Sequence, residues 1–132
     1  MSDSEIIPVV DSNDIVVVRR AVRRQAVKVK FTLVDQTKVV TAASELARNM
    51  LVYAAGGEVT IEVLQEDARH GLRASFVDKG PGIDDIDLAL RDGFTTGSGL
   101  GLGLGGAKRL VNEFSIESTP GKGTRVTITR WG

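Results

Sequence analysis

The chain has 132 residues, no cysteine, and 17 Lys+Arg against 17 Asp+Glu, for a formal net charge of zero. That length makes one domain, 1–132, with room for a real core, and 42% apolar with 26% charged residues is ordinary globular composition. The missing cysteines exclude disulfides, thiolate metal sites and a cysteine nucleophile. Balanced charge gives no case for nucleic acid, and no stretch approaches the roughly 20 apolar residues of a membrane span. The opening MSDSEII has no signal-peptide apolar region, so the expectation is a cytoplasmic domain.

The first predicted element is a strand over 5–10, EIIPVV. Pro8 cannot donate to a ladder, which makes this an edge strand. Asp11, Ser12 and Asn13 offer N-caps for a helix over about 15–30. There Ile15, Val18, Val22, Ala26 and Val29 form one stripe and Arg19, Arg20, Arg23, Arg24 and Lys28 cover the rest. After a connection over 32–35, a second helix is predicted over about 36–53. Val39, Ala42, Ala43, Leu46, Met50 and Tyr53 keep helical spacing, and Gly56-Gly57 ends it. Alternating runs at 58–64 and 72–77 read as an antiparallel pair joined through a polar turn that holds His70. A turn over 78–82, a short helix over 86–90, a helix ending near Asn112 and a strand pair at 114–117 and 125–129 complete the chain. This order predicts an α+β sandwich, a mixed sheet with about three helices on one face.

Four short motifs carry candidate chemistry. Glu45 and Asn49 are i,i+4 on the second helix and share a face beside its apolar stripe. Asn offers a neutral oxygen to a hard cation such as Mg²⁺, and Glu can take a proton from a nucleophile. Asp78-Lys79-Gly80-Pro81-Gly82 follows a strand. A carboxylate there can accept from an amino group while the glycines turn tightly beneath it. From Gly93 to Gly106 the chain has seven glycines in fourteen residues, leading into an apolar-periodic stretch. Freed N–H groups in such a run can cradle a phosphate, with a helix N-terminus behind them. The run fits neither a P-loop nor a dinucleotide fold, because the Gly-Lys-Ser/Thr ending and a βαβ unit are both absent. Gly121-Lys122-Gly123-Thr124 opens the last strand. Taken singly, the four read as a solvated helix pair, a turn, a flexible loop and a hairpin.

Taken in order, they resemble the GHKL ATPase superfamily (gyrase, Hsp90, histidine kinases, MutL) over about residues 36 to 130. Glu45 and Asn49 match its N box, and Asp78-x-Gly80-x-Gly82 its first glycine box. The second glycine box falls at 97–102 and Gly121-Lys122-Gly123-Thr124 matches the final G-x-G-T. The resemblance implies the ATP-binding Bergerat fold, with ATP and Mg²⁺ as cofactors. It implies Glu45 as general base, Asn49 as Mg²⁺ ligand, and Asp78 on the adenine amino group, with Gly80, Gly82 and Thr124 close by. Gly97, Ser98, Gly99, Leu100, Gly101, Leu102 and Gly103 would hold the phosphates, below a short lid over 93–101. Lys79 departs from the pattern, standing where many members carry a small or neutral residue.

Within the superfamily, the SELARN and DGFTTGSGLGLGLGG phrases look like the free-standing switch protein-serine kinases of the bacterial stressosome, the RsbT type. Anti-sigma-factor kinases of the RsbW and SpoIIAB type are close cousins. The resemblance implies STAS-domain scaffold or antagonist proteins as substrates and a downstream effector such as a PP2C-type phosphatase. Phosphorylation would release the kinase to that effector. An anti-sigma factor and a non-catalytic, nucleotide-gated binding module remain as alternatives. The basic face of the first helix is a candidate docking surface for an acidic partner. Trp131 reads as a packing residue.

Overall fold

The computed structural model describes residues 4–82 and 104–132. The chain starts with β1 (Ser4–Val9), then α1 (Ser12–Lys28) and α2 (Leu33–Ala54). A hairpin of β2 (Gly57–Glu66) and β3 (Arg69–Asp78) follows. The described chain resumes in α3 (Leu104–Arg109) and ends in a second hairpin, β4 (Glu113–Thr119) and β5 (Gly123–Trp131). The expected helix over 86–90 lies outside the described residues.

Local chemistry sets the helix limits. Asp11 caps α1: its carboxylate accepts from the Asn13 N–H at 2.9 Å, while Asp14 reaches back to the Asp11 N–H at 3.2 Å, a reciprocal capping box. The helix therefore starts three residues before its predicted apolar stripe. Thr32, expected in a connection, is the N-cap of α2, its hydroxyl accepting from the Asp35 N–H at 3.2 Å. At the far end Ala55 takes the left-handed conformation, and the Gly56 N–H bonds to the Met50 carbonyl at 2.8 Å. Gly57 already belongs to β2.

The strands form one five-stranded sheet in the order β1-β2-β3-β5-β4. The two-layer α+β architecture agrees with expectation. Every strand pair among the described residues is antiparallel, however, where a mixed sheet was expected. The reason is connectivity. A single crossover helix returns a strand parallel, whereas the α1–α2 hairpin between β1 and β2 reverses the chain once more. β1 is an edge strand, as Pro8 predicts.

Side chains alternate across the sheet. Val59, Ile61, Leu72, Ala74, Phe76, Val126 and Ile128 turn inward and are buried beneath α1 and α2. On the helices Val18, Ala21, Val22 and Ala26 of α1, and Val39, Ala42, Ala43, Leu46 and Ala47 of α2, complete the core. The opposite face carries a row of hydroxyls, Thr60, Ser75, Thr127 and Ser115, in adjacent register. Strands run past their predicted ends: Glu66 and Arg69 still pair across a two-residue turn at Asp67-Ala68, so His70 lies on β3 and not in a turn. No helix among the described residues is long and apolar enough to cross a membrane.

Candidate functional site

α2, β3, β5 and the start of α3 meet around one cleft. Asn49 lines it from α2, Asp78 and Gly82 from the end of β3 and the turn beyond, Thr124 from the start of β5 and Leu104 from α3. Leu46, Met50, Tyr53, Ala54, Phe76, Pro81 and Val126 supply the rest of the wall, which is mostly apolar. An apolar cleft with a few convergent polar groups is the usual form of a small-molecule site.

Strand register brings the polar groups together. Asp78 on β3 pairs directly with Thr124 on β5. The Asp78 Oδ1 accepts from the Gly80 N–H at 2.9 Å and from the Thr124 N–H at 3.3 Å. Two backbone donors on one oxygen fix the carboxylate and leave Oδ2 as the acceptor for a ligand. Gly80 thus acts through its N–H, and a Cβ there would collide with Ala54. Gly82 has φ +79, and a Cβ would stand 2.5 Å from the Thr119 carbonyl oxygen. The Gly121 N–H bonds to the Pro81 carbonyl at 2.7 Å, fastening the turn to the β4–β5 hairpin. Lys79 is exposed and does not line the cleft.

Asn49 presents an amide whose Nδ2 is buried without a hydrogen-bond partner. A buried donor left unmade costs free energy, so this carboxamide is not committed to the scaffold. A neutral oxygen from Asn, with the remaining ligands supplied by phosphate and water, suits Mg²⁺. No group of three or more His, Cys, Asp or Glu forms a metal cage among the described residues.

Glu45 lies one turn before Asn49. It lines a neighbouring groove between α1 and α2, together with Arg19, Arg23, Ser44 and Arg48. Its Oε2 accepts from Arg48 Nη2 at 2.7 Å. Gly97, Ser98, Gly99, Leu100, Gly101, Leu102 and Gly103 lie outside the described residues.

Three contributors were not singled out from sequence. Ser118 on β4 stands 2.9 Å from the Thr124 hydroxyl and donates to the Gly123 carbonyl at 3.2 Å, orienting Thr124. Phe76 and Val126 form the wall beside Asp78 and Thr124. The period of two along each strand carries that signal, since each lies two residues from its polar neighbour on the same face.

A two-layer sandwich with this cleft between sheet and helices defines a class. Residues 34–131 match the family of histidine kinase-, DNA gyrase B-, and HSP90-like ATPases, and the chain belongs to it. In particular, it is 42% identical over 131 residues to the serine/threonine-protein kinase RsbT of Bacillus subtilis, covering 99% of this chain and 98% of that one. An anti-sigma F factor of Caldanaerobacter subterraneus is 30% identical, covering 86% and 82%. Among solved structures, the catalytic domain of the histidine kinase ThkA superposes with a TM-score of 0.56 at 16% identity, covering 96% of this chain and 95% of that one. A chain of the SiaB-SiaC complex from Pseudomonas aeruginosa superposes with 0.54 at 14% identity, covering 97% and 89%. At those identities the two structures speak for the fold alone.

Proposed function

We propose that this chain is an ATP-dependent protein-serine/threonine kinase and a switch protein in a partner-switching stress response, acting in the cytoplasm. The observation that carries the nucleotide site is the Asp78 carboxylate, fixed by two backbone N–H groups in an apolar cleft that also holds the uncommitted amide of Asn49. The kinase reading draws on the similarity to RsbT over 99% of the chain.

In this reading Asp78 accepts from the exocyclic amino group of adenine, while Met50, Phe76 and Val126 shield the base. Thr124, oriented by Ser118, adds a second polar contact. Gly80 and Gly82 shape the turn, and the run from Gly97 to Gly103 holds the phosphates. Mg²⁺, when bound, neutralises charge on the phosphate oxygens, and Asn49 is its protein ligand. Glu45 accepts the proton of an incoming serine or threonine hydroxyl. The acceptor oxygen bonds to the γ-phosphorus, the bond to the β,γ-bridging oxygen breaks, and ADP leaves. Positioning and charge stabilisation supply most of the catalysis in such a transfer.

The substrates are STAS-domain scaffold or antagonist proteins, and the released kinase engages an effector such as a PP2C-type phosphatase. Docking falls to the α1–α2 groove beside Glu45. The basic face expected from sequence is narrower in the fold, since Arg24 pairs with Glu5 of β1. Arg19, Arg20, Arg23 and Arg48 line the groove and its rim. Incubation with labelled ATP, Mg²⁺ and candidate STAS proteins tests the reading, with phosphoserine or phosphothreonine on the partner expected. Capture of a sigma subunit with no labelled STAS protein would favour the anti-sigma alternative instead.

A further inference from the structure

Arg130, near the end of β5, has only 14% of its side chain exposed and joins three elements. Its Nη2 pairs with Asp35 in the first turn of α2, a carboxylate only 20% exposed. Its Nη1 donates at 3.0 Å to the carbonyl of Leu110, the residue after α3. The Nε is buried with no hydrogen-bond partner. An ion pair in this setting is a poor way to gain stability, since apolar replacements of similar volume are often as good. An orphaned donor adds to that cost. A geometric role accounts better for its presence.

The layout supplies one. Arg130 lies on the same face of β5 as Thr124 and Val126, which line the cleft. Six residues of strand separate Arg130 from Thr124, about 20 Å. Asp35 and Asn49 are fourteen residues apart on α2, about 21 Å. The ion pair and the cleft therefore close opposite ends of one α2–β5 layer. α3 lies between them: Leu104 lines the cleft beside Leu46 and Asn49, and the chain leaves past Leu110, whose carbonyl accepts from Arg130. Asn112 holds the same exit, its N–H on the Thr129 carbonyl at 2.9 Å and its Oδ1 on the Trp131 N–H at 2.7 Å. At the adenine end, Asp78 and Thr124 are held additionally by their own strand register and by the Thr124 N–H on the Asp78 carboxylate.

We infer that Arg130 is a positioning residue for the phosphate end of the nucleotide site, tying the exit of α3 to the entrance of α2 so that Leu104 and Asn49 keep their spacing. This rests on the nucleotide-site reading above. The direct test replaces the pair together, Asp35→Leu with Arg130→Met, and Arg130→Lys serves as the conservative variant. Thermal melting and calorimetric titration with MgATP and with ADP are measured for each. The double variant should melt near wild type yet bind MgATP about tenfold more weakly, with ADP affinity changed less than about twofold. Lys, which keeps the charge on Asp35 but loses the fork to Leu110, should fall between. A MgATP-to-ADP affinity ratio equal to wild type in folded variants overturns the inference and leaves the nucleotide site standing. If the double variant fails to fold, the ratio in Arg130→Lys decides by the same criterion. Wild-type protein that binds neither nucleotide overturns both.

Discussion

Asp78 shows how far a single residue's chemistry is set by its neighbours. The Gly80 and Thr124 N–H groups both point at Oδ1. In Asp78→Asn they would hold the amide oxygen there, turning the NH₂ into the cleft where adenine also presents a donor. Loss of a charged acceptor and a donor–donor clash should weaken ATP binding about ten- to a hundredfold, and a calorimetric titration at wild-type affinity would refute the role. Glu45 is a different case. It lines the α1–α2 groove, bonded to Arg48, and is absent from the wall of the cleft among the described residues. Glu45→Ala should therefore keep ATP affinity while phosphoryl transfer falls about 10²–10⁴-fold; an unchanged transfer rate would remove it as general base. Asp78 and Asn49 are legible in the sequence because glycine spacing and an i,i+4 pair are local patterns. Ser118 is not, because its partner Thr124 is brought to it only by the register of a hairpin.

Among the elements, the β4–β5 hairpin has the most to do with function. Gly123 has φ +118, and a Cβ there would fall inside the Asp78 carbonyl oxygen. Gly121 in the same hairpin has φ +79 but no atom within 4 Å of its would-be Cβ. Gly123→Ala should cost about 1–3 kcal/mol of stability through the strained backbone and also weaken ATP, because it pushes β5 away from Asp78. Gly121→Ala bears the backbone strain alone and should leave affinity unchanged, so equal affinity losses in the two variants would rule out the link from hairpin to site. The helices could be read from sequence because their apolar stripes repeat every three to four residues. Strand ends could not, because polar residues such as Glu66 and Arg69, which pair across the turn and join their side chains at 3.0 Å, break the apolar alternation that marks a strand. Strand direction depends on the whole path: an αα-hairpin between β1 and β2 makes three reversals where one crossover helix makes two, so the strands end antiparallel.

At the scale of the whole molecule, two charge systems have separate consequences. The groove arginines face solvent, so Arg19→Glu with Arg23→Glu should abolish phosphorylation of an acidic partner while ADP affinity stays at wild type. Unchanged partner binding would exclude the groove as a docking surface, and a genuine docking role should also weaken with salt. The Asp35–Arg130 pair is internal, and removing one partner alone, unlike replacing both, leaves a largely buried charge and costs stability. The Arg130 hydrogen bond, aided by Thr32 and by the charges of Arg130 and Lys38, outweighs burial and holds the Asp35 carboxyl below its ordinary value of 3.8. A carboxylate with a depressed pKa in the folded state stabilises the fold fully above its unfolded pKa, and that contribution is lost as pH falls through the folded value. Stability from this pair is thus complete at neutral pH and declines only below about pH 4. Asp35→Asn strands the Arg130 guanidinium in a largely buried setting and should cost about 1–3 kcal/mol at pH 7, less than a fully buried pair because both groups keep some solvent. For a chain of this length that is a fall in Tm of about 3–15 °C. The difference between wild type and variant should shrink as pH drops below 4, since protonation removes the same charge from the wild type. Urea melts at pH 7 and pH 3 measure both terms, and a difference that stays constant between the two pH values would show that the Asp35 charge contributes nothing to the fold.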